Sequence, residues 1–247
     1  MYRNINKKIF HIVSLITIIF VILFIAGMFI LRYQVEGESN MPFQITKISV
    51  IESVEGKEEE NSSGEWNFSV NENNDIYIYI EKNSGYGKTE LIDTIEIKDI
   101  EIDKFNELGE AKFYKPVTDE KRIFNSLKEN EVTSLIYDGE LESNLKELKI
   151  SNQGGIIAFR YAINNLSKYS AQENQEIDHS KLLKLTDIKP EDLQTKISFD
   201  VIINLESGKK YQTRIDLDIP TQKVIEEGTE GIEITDLENI IFKRIEN

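Results

Sequence analysis

Hydrophobic residues are distributed along the chain in two regimes. Ile9–Leu31 is one apolar run, IFHIVSLITIIFVILFIAGMFIL, without Asp, Glu, Lys or Arg. From Phe43 onward apolar and polar residues alternate, the period of two that marks half-buried strands. At about 1.5 Å per residue the first run makes a helix of roughly 34 Å, enough to cross a hydrocarbon core of about 30 Å. Arg3, Lys7 and Lys8 precede it with no acidic residue, while Arg32 and then Glu36 and Glu38 follow it. Basic residues collect on the cytoplasmic side of a spanning helix, so the tail reads as inside and the rest as outside, a single-pass plasma-membrane topology. A signal peptide has an apolar region of about 7–15 residues and a small-x-small cleavage site. This run is longer and Ala26-Gly27 supplies no such site, which predicts a retained anchor. The expected organisation is a cytoplasmic tail over 1–8, a transmembrane helix over 9–31, a linker over 32–42 and an extracytoplasmic β-rich domain over 43–247.

Within that domain the strands differ in how clearly they declare themselves. Ile48 and Val50 alternate with polar neighbours, Glu55–Gly64 (EGKEEENSSG) reads as a charged mobile loop, and Trp66, Phe68 and Val70 resume the alternation. Asp75–Lys82 (DIYIYIEK) has isoleucines on one face and Tyr77 and Tyr79 on the other, which predicts a central strand covered on both sides. In Glu90–Asp103 the apolar phase slips between Ile97 and Ile100, predicting a β-bulge at Lys98-Asp99. Ile123, Phe124 and Leu127 have helical spacing behind a capping Thr118 or Asp119, and Leu141, Leu145 and Leu148 suggest a further helical turn. Gly155–Asn164 is a strand with Ile157, Phe159, Tyr161 and Ile163 on one face. A polar stretch over Ser170–Ser180 and a turn at Lys189–Asp192 follow.

Phe199–Leu205 and Ile215–Ile219 alternate as the two arms of a hairpin. For both apolar sets to share a face the loop must hold an odd number of residues, most simply Ser207-Gly208-Lys209. That register sets Leu205 opposite Tyr211, Val201 opposite Ile215 and Asp200 opposite Asp216, with Asp218 next along the outer face. Glu226–Gly231 reads as an acidic loop and Ile240–Ile245 as a closing strand. Roughly ten strands with hairpin-like spacing and few short helices indicate a mainly β fold, an antiparallel sandwich. TKISV at 46–50 and TKISF at 195–199 echo each other, which leaves open a duplicated pair of sandwiches split near residue 150.

Charge narrows the function. Residues 1–31 hold three of the 29 Lys and Arg and none of the 44 Asp and Glu, so the remainder carries −18. Such a domain has nothing to neutralise phosphates, which argues against nucleic acid. There is no cysteine, and His179 is the only histidine after His11, so thiolate chemistry, zinc and most general-base catalysis lose their usual residues. Asp178-His179-Ser180 are sequence neighbours and lack the separate placement a triad needs. Ser84–Thr89 (SGYGKT) ends like a phosphate-binding loop, but Lys82 stands where the first glycine belongs and a strand follows, so it reads as a glycine hairpin turn without nucleotide. Asp200, Asp216 and Asp218 are the weak metal candidates, since like charges across a ladder are unfavourable unless bridged. Trp66, Tyr77 and Tyr79 could stack on a cell-wall glycan. The Ile-, Lys-, Asn- and Glu-rich usage fits an AT-rich bacterial genome. The function expected is a non-enzymatic protein-interaction or assembly module of the cell envelope, without cofactor, with cation or glycan binding as the alternative and a carboxylate-based hydrolase drawing on the 44 acids as the second alternative.

Overall fold

The computed structural model describes residues 13–30, 41–59, 65–104, 106–117, 122–139, 149–172, 175–219, 221–237 and 239–245. Helix α1, Val13–Ile30, has no buried residue and is long and apolar enough to cross a membrane. Its 18 residues span about 27 Å.

Ten strands and a few short helical turns make up the rest of the regular structure among the described residues, the strands being β1 (Phe43–Glu59), β2 (Glu65–Lys82), β3 (Ile92–Lys104), β4 (Glu110–Tyr114), β5 (Leu135–Asp138), β6 (Gly155–Gln172), β7 (Thr195–Leu205), β8 (Lys210–Ile219), β9 (Thr229–Ile234) and β10 (Lys243–Ile245). They form two five-stranded sheets, β4-β6-β2-β1-β9 and β10-β8-β7-β3-β5, antiparallel throughout. We call them the first and second sheets. Among the described strands only β1–β2 and β7–β8 are sequential neighbours in one sheet; the other successive strands lie in alternate sheets. The pairs β2–β6 and β3–β7 bridge residue 150 within each sheet, so the segments before and after it share one core.

The core is built from the alternation itself. Ile76, Ile78 and Ile80 of β2 and Ile157, Phe159 and Tyr161 of β6 are buried against Ile95, Ile97, Phe199, Val201 and Ile203 of the second sheet. Phe159 and Phe199 meet edge to face between the sheets at 5.1 Å, a contact worth about 0.5–1.5 kcal/mol beyond area burial. At one margin the Tyr137 hydroxyl of β5 meets both the N–H and the C=O of Ala158, closing part of the β6 edge that β4 leaves uncovered.

The predicted bulge is present: β3 shifts register against β7 between Lys98 and Glu101, and Asp99 has φ 50°. The hairpin has the expected odd loop but a different register. Leu205 N donates to Lys209 O at 2.9 Å, leaving Glu206-Ser207-Gly208 as the loop. Gly208 has φ 80°, the left-handed conformation that the last residue of a three-residue hairpin loop adopts. The sequence reading placed this glycine at the loop centre, and moving it to the end displaces the whole ladder. Val201 now pairs with Thr213 and Phe199 with Ile215.

Other expectations are corrected. Glu55–Glu59 is no loop but the continuation of β1, paired with Asn67–Asn71. Residues 122–127 are not helical; only Phe124 is buried there, with Ile123 and Leu127 exposed. The acidic stretch at 226–231 is the end of helix α3 (Gln222–Glu227), a left-handed Gly228 and the start of β9. The glycine stretch at 84–89 turns the chain from one sheet to the other and is not a hairpin. β6 runs through the polar segment to Gln172, and Lys189 begins a single helical turn, α2 (Pro190–Leu193), where its N–H bonds the Asp192 carboxylate at 3.0 Å. Leu141, Leu145 and Leu148 lie outside the described residues.

Candidate binding cleft

The outer face of the first sheet is polar but not simply solvated. On β2, Asn71, Asn73, Asp75 and Tyr77 alternate outward; on β6, Arg160 and Asn164 do so beside Lys112 and Tyr114 of β4. Asn71, Asn73 and Arg160 are nevertheless buried. A strap, residues 122–130, lies across them.

Arg160 joins strap to sheet. Its Nε and Nη2 donate to the Asp75 carboxylate at 2.6 and 3.0 Å, and its Nη1 donates to Ser126 Oγ at 3.2 Å. Its guanidinium also lies 5.2 Å from the ring centre of Phe124, which packs edge-on against Tyr77 at 6.3 Å. Burial pushes the Asp75 carboxyl above its usual range, and the Arg160 hydrogen bonds oppose that rise. Arg122 adds an ion pair to Glu55 at 3.3 Å. Lys112, bridged to Glu110 and Glu131 at 2.8 Å each, is held well above the usual lysine range by those two hydrogen bonds.

A bulge shapes the floor. β2 and β6 shift register between Val70 and Glu72, where Asn164, Asn165 and Leu166 face Asn71 alone. Asn165 sits at φ 54°, a conformation asparagine tolerates better than most residues. Its N–H donates to Asn71 Oδ1 at 2.8 Å and its Oδ1 accepts from Ser69 Oγ at 2.6 Å. The strap leaves a cleft on each side of Phe124. One, of about 530 Å³, opens toward β4 and is lined by Lys112, Tyr114, Lys128, Glu131, Asn164 and Asn165 among others. The second, of about 740 Å³, opens toward β1 and includes Ser53, Gly56, Asn73, Tyr77, Ile123 and His179.

The residues singled out from sequence fall elsewhere or apart. Asp200 pairs across the ladder with Arg214, Asp216 with Ser198 and Asp218 with Lys196, so the predicted Asp200–Asp216 confrontation does not occur. Asp200 instead accepts from Gln212 at 2.6 Å and Arg214 at 3.3 Å, and Ser198 donates to Asp216. Among the described residues no three His, Asp or Glu side chains are arranged to hold a metal ion. Trp66 points with Phe68 toward the interior face and stacks on it at 6.5 Å, while Tyr79 carries the Lys47 ammonium 4.3 Å above its ring. With Tyr77 against Phe124, the three aromatics form no common platform. Asp178 accepts from Ser180 N and Oγ and so begins a turn, and His179 rests edge-on against Phe68 at 5.1 Å.

Sequence reasoning missed Arg160, although its signal is visible: a lone charge among the apolar residues of GIIAFRYAI. Comparison with protein families, with characterised proteins and with solved structures finds no match for this chain.

Proposed function

We propose that this protein is a membrane-tethered, non-enzymatic recognition module of the cell envelope, with its N-terminal tail in the cytoplasm and its sandwich outside. It engages a partner protein through the strapped outer face of the first sheet. The observation that carries this is the Arg160–Asp75–Ser126–Phe124 arrangement, which fixes an otherwise irregular segment over a sheet face and leaves a cleft on each side. The first cleft presents both signs of charge and several asparagine amides, which suits an extended polar protein segment. A glycan site is less well supported because Trp66, Tyr77 and Tyr79 face different surroundings. A cation site at Asp200, Asp216 and Asp218 is less well supported because each faces Arg214, Ser198 or Lys196.

The test is a photo-reactive amino acid placed at Lys128, on the cleft rim, or at Lys196, exposed on the second sheet, in intact cells. The expected result is one protein neighbour captured from position 128 and not from 196, with capture lost when Arg160 is replaced. Equal capture from both positions, or none from 128, would overturn the reading. External protease should digest residues 32–247 in intact cells while sparing the anchor; full protection would reverse the proposed topology.

A further inference from the structure

The inward alternation of the first sheet is broken at one end by acids. On β1, Ile48 and Val50 are followed inward by Glu52; on β2, Ile78 and Ile76 are followed by Asn74 and Glu72. The register sets Glu52 directly opposite Asn74, and Glu72 one inward position further along the same face. Glu52 is 0 % exposed, Asn74 0 % and Glu72 1 %. Among the described residues none of the four carboxylate oxygens and neither end of the Asn74 amide has a partner at hydrogen-bond geometry, and the one polar influence that favours the charged form of Glu72 is the Asn74 side chain. An isolated ionised carboxylate in such surroundings is very costly, so a group placed there becomes neutral.

Among the described residues the neighbouring elements offer no compensating cation. On β9, Glu230 stands opposite Glu52 and is engaged by Lys223 of α3, through Nζ at 3.6 Å and N at 3.3 Å. On β6, Tyr161 stands opposite Asn74 and its hydroxyl turns to Thr195 of β7 at 3.5 Å. In the single turn of helix at His179–Lys181, His179 lies on Phe68 and Lys181 pairs with Asp178 at 3.4 Å. Two carboxylates and an amide are too few donors for a hard cation that takes six to eight oxygens. Protons are the remaining neutralising species.

We propose that Glu52 and Glu72 form a proton-operated latch: the β1–β2–β9 end of the sandwich is closed while both carboxyls carry protons and loosens when they ionise. Burial is the main cause of the shift in each case, taking Glu52 to about 9 with help from Glu72 and Glu230, and Glu72 to about 8 against the opposing effect of the Asn74 side chain. Both values lie above those of an unfolded glutamate, so the sign is fixed. The stabilising contribution is complete below about pH 4.3, the unfolded value, and is lost as pH rises through the folded values. The outer positions of the same β1 segment, Ser53 and Glu55, line the second cleft, so loosening here reaches the proposed recognition face.

The test follows thermal unfolding of the full chain in detergent micelles between pH 5 and pH 9. The wild type should lose stability as pH rises, the unfolding constant increasing up to about ten-fold per pH unit for each carboxyl. Glu52→Gln and Glu72→Gln mimic the protonated form; each should remove part of that slope, and the double variant most of it. Infrared spectroscopy of the wild type at neutral pH should show a carboxylic-acid carbonyl band that the double variant lacks. A slope that survives in the double variant, or no such band in the wild type, would overturn the latch.

Discussion

Arg160→Ala should lower the unfolding free energy by about 3–5 kcal/mol, measured by urea titration of the full chain in detergent. The magnitude follows from what is left behind rather than from the bond removed. The Arg160 and Asp75 side chains are 11 % and 15 % exposed, and Asp75 already suffers from burial while its partner is present. Without the guanidinium it is an uncompensated buried charge. The same change removes the donor to Ser126 and the cation over Phe124, so the strap should detach in part. Arg160→Lys keeps the charge but loses the two-pronged geometry, and a smaller loss is expected.

A paired replacement separates stability from placement. Buried ion pairs exchanged for apolar residues of similar size are often neutral or stabilising. Arg160→Met with Asp75→Leu should therefore recover most of the stability while leaving Ser126 without its donor. If capture of a partner at position 128 returns together with stability, the pair matters only for folding. If stability returns and capture does not, the pair serves to seat the strap. A loss below about 1 kcal/mol in Arg160→Ala would show that the strap is not held this way.

The parts of this fold that were legible in sequence are those where an apolar period runs without interruption. Ile76, Ile78 and Ile80 mark β2 as central, and the slip between Ile97 and Ile100 locates a bulge whose extruded Asp99 has a positive φ. What stayed hidden has a physical reason in each case. Glu52, Asn74 and Glu72 occupy inward positions, so a reading that equates polar with outward ends the strand early and turns Glu55–Glu59 into a loop. Ile123, Phe124 and Leu127 have helical spacing, yet three residues cannot separate a helix from a strap pinned by one aromatic. In the hairpin the count of loop residues follows from face parity, but the register depends on which of them takes the left-handed conformation, and only the position of Gly208 decides that. The strapped cleft draws on β1, β2, β4, β6 and the strap at once, and those pairings are not written in any local pattern.

Two glycines with the same backbone angle should respond very differently to alanine. Gly208 and Gly228 both have φ 80°, where an L side chain is strained by about 1–2 kcal/mol. A Cβ on Gly208 would meet nothing within 4 Å, so Gly208→Ala should show little beyond that strain. A Cβ on Gly228 would lie 2.0 Å from the Ser180 carbonyl oxygen and 2.6 Å from its carbon, a contact with backbone that no rotamer change relieves. Gly228 also accepts from Val54 N at 3.0 Å and ends α3 through its own N–H to Val224 O at 2.9 Å. Moving it therefore displaces β1, α3 and the turn at Ser180 together. Gly228→Ala should cost about 3–5 kcal/mol, at least twice the loss at Gly208. Urea midpoints of the two variants, measured side by side, check this directly. Equal losses would mean that the Ser180 turn yields freely and does not clamp the end of the sandwich that holds Glu52 and Glu72. Because β9 is an edge strand joined to the first sheet only through β1, the clamp at Gly228 and the protonation of Glu52 act on the same junction. Gly228→Ala should accordingly also weaken the pH dependence, since an end already displaced admits water to both carboxyls and brings their titration back toward that of an unfolded chain.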